Sequence, residues 1–218
     1  MTRASEIAGR FTWALDKADA RGVPFAHWLL ADVLPADVAH AIAGLPFAPP
    51  DLGDTLGKRE THNSTRIFFS VENRAAHPVC ADVAAAFQSP ALVRALEAQT
   101  GAVLSGSHLR IEYCQDTDGF WLEPHTDIGA KRFTLLVYLS DRAEAEGWGT
   151  DIYDGARRPI GTAPGGFNKG LLFVPGGDSW HGVEKRDFSG VRKSIIVNYV
   201  IPEWRSRHEL AYPDAPVA

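Results

Sequence analysis

Three side chains of this sequence could together hold a metal ion: His125, Asp127 and His181. In an extended segment residues i and i+2 point to the same face, so His125 and Asp127 would share a face while Thr126 points away. His181 lies farther along the chain and is the candidate third ligand. Two imidazoles and one carboxylate on one side of an octahedron suit non-haem Fe(II) and leave positions open for substrate chemistry. A His-x-Asp triplet arises easily by chance, so the assignment needs support from other residues.

A candidate carboxylate-binding group follows the candidate metal ligands. The β-branched and aromatic residues at 194–199 are typical of a strand, which would place Arg192, Ser194, Ile196 and Asn198 on one face. An arginine inside a barrel is costly unless it is paired. Its guanidinium fork pairs a carboxylate through two hydrogen bonds, and Ser194 can add a hydroxyl donor. The alternative is that Arg192 lies outward and pairs with Asp187 or solvent.

With these residues in place, the sequence resembles the Fe(II)/2-oxoglutarate-dependent dioxygenases, most closely their prolyl-4-hydroxylase-like branch. The matching pieces follow the family's order between about residues 105 and 201, with a further segment near residues 24–45. In turn they are residues 109–113, the metal motif at 124–127, the strand at 132–140, the Gly-Trp-Gly-Thr start at 147–153, the stretch 170–175 leading to His181, and Arg192-Lys193-Ser194.

The resemblance implies specific roles. Fe(II), 2-oxoglutarate as cosubstrate and O2 are the expected cofactors, with His125, Asp127 and His181 as metal ligands. Arg192 and Ser194 would hold the distal carboxylate of 2-oxoglutarate, helped by the Tyr138 hydroxyl. A core tyrosine bonded to backbone is the alternative for Tyr138. Tyr113 would either point at the cofactor or end a core stripe. Candidate substrate contacts, each with a surface or supporting role as the alternative, are Arg66, Arg110, Trp121 and Asp151.

The implied activity is oxidation of a substrate with release of succinate and CO2. We expect hydroxylation of an unactivated C–H bond in a small molecule (an amino acid or metabolite) or in a peptidyl residue. A zinc-dependent hydrolase is one alternative, since the same donors bind zinc. However, the sequence has no His-Glu-x-x-His helix, and Arg192 would lack a purpose. The other alternative is a non-catalytic, cupin-like sensor that binds a small acid; three retained ligands favour catalysis.

Composition limits the remaining classes. The chain has 218 residues, 45% of them hydrophobic and 22% charged, which is typical of one globular domain. A net charge of −5 argues against a nucleic-acid partner. We find neither a signal peptide nor an apolar run of roughly 20 residues, so we expect no membrane partner and a cytoplasmic protein. Cys80 and Cys114 indicate no disulfide framework. The oligomeric state cannot be read from the sequence.

The element pattern predicts a mainly β protein with flanking helices. Helices are expected at residues 4–20, 35–44, 79–87 and from 90 to about 100. Strands are expected at 25–30, 65–71, 102–104, 107–114, 133–139, 150–153, 171–174 and 195–200. Short strands separated by Gly- and Pro-rich turns favour a sandwich or barrel. With the resemblance, this becomes a double-stranded β-helix of the jelly-roll, cupin-like type.

The sequence shows no boundary for a second domain. We expect residues 1–218 to form a single domain with three parts. Residues 1–101 would be mainly helical support with N-terminal strands, residues 102–201 the jelly-roll catalytic core, and residues 202–218 a tail packed on the surface. Residues 46–64, rich in Pro, Gly, Asp and Thr, predict a loop that could cover the site.

Overall fold

The computed structural model of this chain describes residues 2–52, 55–59 and 65–218. Within these ranges, helices and strands alternate at first and strands dominate after residue 107. In chain order the elements are α1 (Arg3–Asp16), β1 (Asp19–Arg21), β2 (His27–Leu30), α2 (Ala36–Ala43), β3 (Ile67–Phe68), α3 (Val71–Ala76), α4 (Pro78–Gln88), α5 (Pro90–Thr100), β4 (His108–Asp116), β5 (Leu122–His125), β6 (Lys131–Tyr138), β7 (Asp151–Tyr153), β8 (Pro159–Thr162), β9 (Gly170–Phe173), β10 (His181–Val183) and β11 (Arg192–Val200).

The strands form two antiparallel sheets. The larger sheet has the order β1-β2-β9-β6-β11-β4-β3, and the smaller has the order β5-β10-β7-β8. Several neighbours in each sheet are distant in sequence: β11 pairs with both β4 and β6, and β10 pairs with both β5 and β7. This arrangement confirms the predicted mainly β fold with a jelly-roll core.

The helices have recognisable start and stop signals. Thr2 accepts a hydrogen bond from the backbone N–H of Ser5 at the start of α1. Ser89 caps α5 in the same way, Pro90 occupies its first turn, and Gly101 ends it with a φ of 72°. The apolar faces of α1, α4 and α5 pack on one side of the larger sheet and form the main hydrophobic core with it.

Successive side chains of β11 point in turn to this hydrophobic core and to a polar space on the other side of the sheet. Ile195, Val197 and Tyr199 face the helices and are fully buried. Arg192, Ser194, Ile196 and Asn198 therefore face the opposite side, toward the smaller sheet. The β4 register places Asp116, Cys114, Glu112 and Arg110 opposite these four residues in that order. One face of this strand pair thus carries charged and polar side chains into the space between the two sheets.

Some predicted elements differ from the structure. Residues 102–104 were expected to form a strand but carry no strand hydrogen bonding, and the strand expected at 65–71 shrinks to the two residues of β3. The strands β1, β5, β8 and β10 and the helix α3 were not among the predicted elements, since elements of three to six residues show too little periodicity.

The C-terminal segment is more tightly packed than a surface tail. Leu210 and Ala211 are fully buried, and Leu210 forms a bridge with Arg110 of β4. Within the described ranges no single helix is long and apolar enough to cross a membrane; by length and composition alone, the pair α4 and α5, bent by 57°, could do so.

Candidate metal and carboxylate site

The smaller sheet brings the two candidate histidine ligands together. β5 and β10 are antiparallel neighbours, and His125 lies directly opposite His181 in their register. The two imidazole centroids are 4.4 Å apart. Asp127 follows β5 by two residues, and one ligand atom from each of the three side chains lies within 4.8 Å of the other two. The structure thus collects His125, Asp127 and His181 into one group that could hold a metal ion.

Backbone contacts orient both imidazoles. Nδ1 of His125 is 2.8 Å from the carbonyl oxygen of Glu123, and Nδ1 of His181 is 2.9 Å from that of Ser179. A carbonyl oxygen only accepts hydrogen bonds, so each Nδ1 carries the proton and each Nε2 keeps a lone pair. This leaves Nε2 of both rings as the metal-binding atom, in the tautomer that metal sites commonly fix through such contacts.

Two neighbours on β6 hold the Asp127 carboxylate. The Lys131 ammonium donates to Oδ1 at 2.5 Å, and the Thr134 hydroxyl donates to Oδ2 at 2.6 Å. Burial disfavours the charged carboxylate, but Lys131, His181 and these hydrogen bonds outweigh it and lower the pKa of Asp127 to about 2. Burial also lowers the pKa of His181 to about 4, although Asp127 acts against this. At neutral pH these two residues therefore offer a neutral His181 imidazole and an ionised Asp127 carboxylate, as a divalent metal requires.

Arg192 is buried in the same cavity with part of its guanidinium unpaired. Nη1 donates to Asp116 Oδ2 and Nε donates to the Trp148 carbonyl oxygen, each at 2.5 Å. Nη2 and the hydroxyl of Ser194 are buried, and neither has a hydrogen-bond partner among the described residues. Leaving a buried donor unpaired typically costs about 1–3 kcal/mol. Two orphaned donors on one strand face fit the carboxylate of a small ligand, which supports the role that the resemblance implied.

The two predicted tyrosines lie on opposite sides of the larger sheet. Tyr138 is opposite Ser194, on the cavity side. Its hydroxyl donates to Thr150 Oγ1 at 2.9 Å and accepts from the Thr150 backbone N–H at 3.1 Å, while its ring lies 5.6 Å from the Arg192 guanidinium carbon. Tyr138 therefore lies beside Arg192, but its hydroxyl is bonded to Thr150.

Tyr113 requires a correction. It is opposite Ile195 on the helical side of the sheet, where its hydroxyl donates to the Ala43 carbonyl oxygen at 3.4 Å. It belongs to the main core, so the structure does not bring it to the cofactor pocket. The reason is strand parity: one position along β4 moves a side chain to the other face. Glu112 and Cys114, its neighbours in sequence, lie on the opposite face of β4, which they share with Arg110 and Asp116.

A cavity of about 260 Å³ connects the metal ligands, Arg192 and the β3–β4 edge of the larger sheet. Two expected substrate contacts, Arg66 and Arg110, line this cavity, and Leu136 and Ile196 give it an apolar floor. Thr134, Glu112 and Asp116 were not singled out as site residues from the sequence. Arg110 and Glu112 are charged and two residues apart on β4, which could have indicated from the sequence that one face of this strand is charged. Only the register with β11 shows that Asp116 meets Arg192.

The other two expected substrate contacts, Asp151 and Trp121, are not among the residues that line this cavity. Asp151 accepts from the Glu184 backbone N–H and from the Thr162 hydroxyl, both at 2.6 Å, and also pairs with Arg186. It thereby joins β7 and β8 to the segment after β10. The Trp121 carbonyl accepts from the Thr55 hydroxyl at 2.5 Å.

The predicted covering loop is described only in part. The Gly57 carbonyl oxygen accepts from the Glu123 backbone N–H at 3.0 Å, and Gly57 lies at the cavity wall. The segment 55–59 therefore runs along the edge of β5, next to the metal ligands. Residues 53–54 and 60–64 of this predicted loop lie outside the described ranges.

No protein-family model matches the sequence, and neither does any curated protein. Solved structures do match. A prolyl 4-hydroxylase from Phytophthora capsici has a TM-score of 0.60 at 15% identity, covering 92% of this chain and 66% of that one. For a Pseudomonas putida prolyl-4-hydroxylase the TM-score is 0.57 at 15% identity, with coverage of 89% and 94%.

A third match is the non-haem α-ketoglutarate-dependent epimerase SnoN from nogalamycin biosynthesis, with a TM-score of 0.50 and 15% identity. It covers 89% of this chain and 83% of the epimerase. The present chain thus spans 66% of the Phytophthora enzyme and most of the other two. At these identities the likeness concerns the fold alone. This chain has the fold of the prolyl 4-hydroxylases and of other 2-oxoglutarate- and Fe(II)-dependent oxygenases.

Proposed function

We propose that this protein is an Fe(II)- and 2-oxoglutarate-dependent oxygenase that hydroxylates a C–H bond. The observation that carries the proposal is the convergence of two features in one cavity. One is a His-Asp-His donor set, and the other is a buried arginine with an unpaired Nη2, which shares a strand face with an unpaired serine hydroxyl. A metal site alone would suit many reactions. The added carboxylate-binding group favours a metal that works with an organic acid.

His125, Asp127 and His181 would hold Fe(II) on one side, with Nε2 of each imidazole and the Asp127 carboxylate as donors. Lys131 and Thr134 keep that carboxylate in place. Together, bound Fe(II) and 2-oxoglutarate would supply the activation of O2, coupled to loss of CO2 and formation of succinate. The role of the protein is to position one C–H bond and to exclude water from the reacting centre.

Arg192 and Ser194 would bind the distal carboxylate of 2-oxoglutarate through Nη2 and Oγ. Asp116 and the Trp148 carbonyl fix the guanidinium through Nη1 and Nε, and Nη2 remains for a ligand. Tyr138 and Thr150 support the same wall of the cavity. Leu136 and Ile196 supply apolar surface between this wall and the metal ligands, where a C–H group can pack without competing for polar contacts.

The test is formation of succinate by the purified protein supplied with Fe(II), O2 and 2-oxoglutarate. Such oxygenases turn over slowly without their substrate, so we expect a low rate that requires all three components. Asp127→Ala should abolish it, because the carboxylate supplies the negative charge of the metal site. The matched control is Asp214→Ala, an exposed aspartate in the C-terminal segment, which should keep the wild-type rate.

Two outcomes would contradict the proposal. Tight binding of 2-oxoglutarate without any succinate, even with a broad substrate panel, would identify a small-acid sensor. Hydrolysis of a substrate by the zinc-loaded protein, with no response to 2-oxoglutarate, would identify a zinc hydrolase.

A further inference from the structure

The cavity has a second charged wall, on the β3–β4 edge of the larger sheet. Glu112 of β4 is opposite Phe68 of β3, and Arg66 lies two residues before Phe68 on the same side of the strand. Arg110 precedes Glu112 by two residues and therefore shares its face. All three charged side chains line the cavity that contains the metal ligands. None of them has a role in the proposed binding of Fe(II) or 2-oxoglutarate.

Arg110 and Glu112 are firmly paired. Arg110 donates to Glu209 at 2.6 Å, to Glu112 at 3.1 Å and to Asn198 at 3.3 Å. Its guanidinium also lies 4.6 Å from the ring centroid of Phe68. Burial opposes ionisation of Glu112 most strongly, but Arg59, Arg110 and Arg66 together lower its pKa to about 2. Glu112 is therefore a carboxylate that several cations already share.

Arg66 is the weakly held member of this cluster. Its side chain is 17% exposed, and its only ion pair within the described part of the chain is a 3.7 Å approach of Nε to Glu112. That distance is too long for a hydrogen bond, and Nε is buried without a partner. Glu112 already receives Arg110 at 3.1 Å and Arg59 at 3.4 Å. Arg66 thus presents donors to the cavity that no described residue uses.

We infer that Arg66, held beside Arg110 and Glu112, binds an anionic group of a small-molecule substrate, either a carboxylate or a phosphate. This inference rests on the proposed function, because it describes the substrate of that same cavity. A guanidinium binds both kinds of group through paired N–H donors. The substrate would place its anionic end against β3 and β4 and its reacting carbon toward His125 and His181. The backbone of an internal peptidyl residue has no such group, whereas a free acid always carries one, so the inference favours a free acid over a peptide.

The experiment compares matched probes that differ in charge. N-Acetylglycine and inorganic phosphate are the anionic probes, and N-acetylglycinamide is the neutral one. The full chain is loaded with Zn(II), a diamagnetic substitute for Fe(II), and with saturating 2-oxoglutarate to occupy Arg192. Binding is followed through the Nε–H resonances of Arg66 and Arg192 by NMR. We expect at least one anionic probe to shift the Arg66 resonance in a saturable way, and the amide to leave it unchanged.

Variants then test the assignment. Arg66→Gln should weaken binding of the anionic probe at least tenfold, and Arg66→Lys should fall between this variant and wild type because it keeps the charge. Arg94→Gln, at an exposed arginine on α5, is the matched control and should bind as wild type does. Thermal melts establish that each variant is folded, and Arg66→Lys carries the test if the glutamine variant is not.

The inference is overturned if neither anionic probe moves the Arg66 resonance, if the neutral amide moves it as much as the anionic probes do, or if the folded Arg66 variants bind the anionic probe as tightly as wild type. Failure of the proposed function would look different. In that case the wild-type protein would form no succinate, whatever the probes do at Arg66. The probe titration needs no turnover, so the two failures can be told apart.

Discussion

The pairing of Arg192 with Asp116 determines what removal of the arginine would do. Both side chains are buried, with relative exposures of 3% and 2%. After Arg192→Ala, the remaining ion-pair partner of Asp116 among the described residues would be Arg59, at 3.5 Å. Breaking a buried pair by removing one partner typically destabilises a protein by about 3–5 kcal/mol. We therefore expect Arg192→Ala to lower the free energy of unfolding by about this amount, in addition to any effect on ligand binding.

A double variant separates the two effects. Replacing both partners by apolar residues of similar volume, as in Arg192→Met with Asp116→Leu, removes the pair without leaving a lone buried charge. Such replacements are often close to neutral for stability. We expect the double variant to regain most of the stability that Arg192→Ala loses. Urea unfolding of the wild type and both variants measures this, with unchanged slopes indicating the same folded state.

Affinity for 2-oxoglutarate should not recover in the double variant. A charge-assisted contact to a carboxylate is worth on the order of 1.5–3 kcal/mol, which corresponds to a loss of about tenfold to over a hundredfold in affinity. Anaerobic titration of the Fe(II)-loaded double variant with 2-oxoglutarate provides the measurement. Wild-type affinity in this folded variant would refute the role of Arg192 and move the carboxylate partner elsewhere, with Lys131 or Arg132 as the next candidates. Full stability in Arg192→Ala would refute the argument about the ion pair.

Three further predictions concern single residues. His181→Ala should remove most Fe(II) binding, measured by metal analysis after dialysis, whereas His208→Ala at an exposed position should bind as wild type does; equal metal content in both would contradict the site. Ser194→Ala removes one neutral donor and should weaken 2-oxoglutarate by about 0.5–1.5 kcal/mol, or roughly twofold to over tenfold, in the same anaerobic titration, and no change would place the hydroxyl outside the pocket. Glu112 has a pKa of about 2 in the folded chain, below its ordinary 4.5, so its contribution to stability is present above pH 4.5 and is lost as the pH falls toward 2. Glu112→Gln should therefore flatten the pH dependence of the unfolding free energy in that window, and an unchanged slope would contradict the shift.

The sequence determined the local elements and the identities of the reactive groups. Residues i and i+2 of an extended segment share a face, and this rule predicted that His125 and Asp127 lie on one face. The same rule on β11 predicted that Arg192 and Ser194 share a face, as the structure shows. The N-terminal cap of α5 at Ser89 and its C-terminal end at Gly101 are also local signals, because capping depends on residues within one turn.

The tertiary structure decided which faces meet. Tyr113 and Glu112 are neighbours in sequence, and only the pairing of β4 with β11 shows that the glutamate faces the cavity and the tyrosine the helices. The pairing of Asp116 with Arg192 joins residues 76 positions apart, and no local pattern encodes that distance. Register between distant strands depends on how two sheets and their shared core pack together, which is a property of the whole chain. The sequence therefore determined the chemical groups available, whereas packing decided which of them share a cavity and which lie in the core.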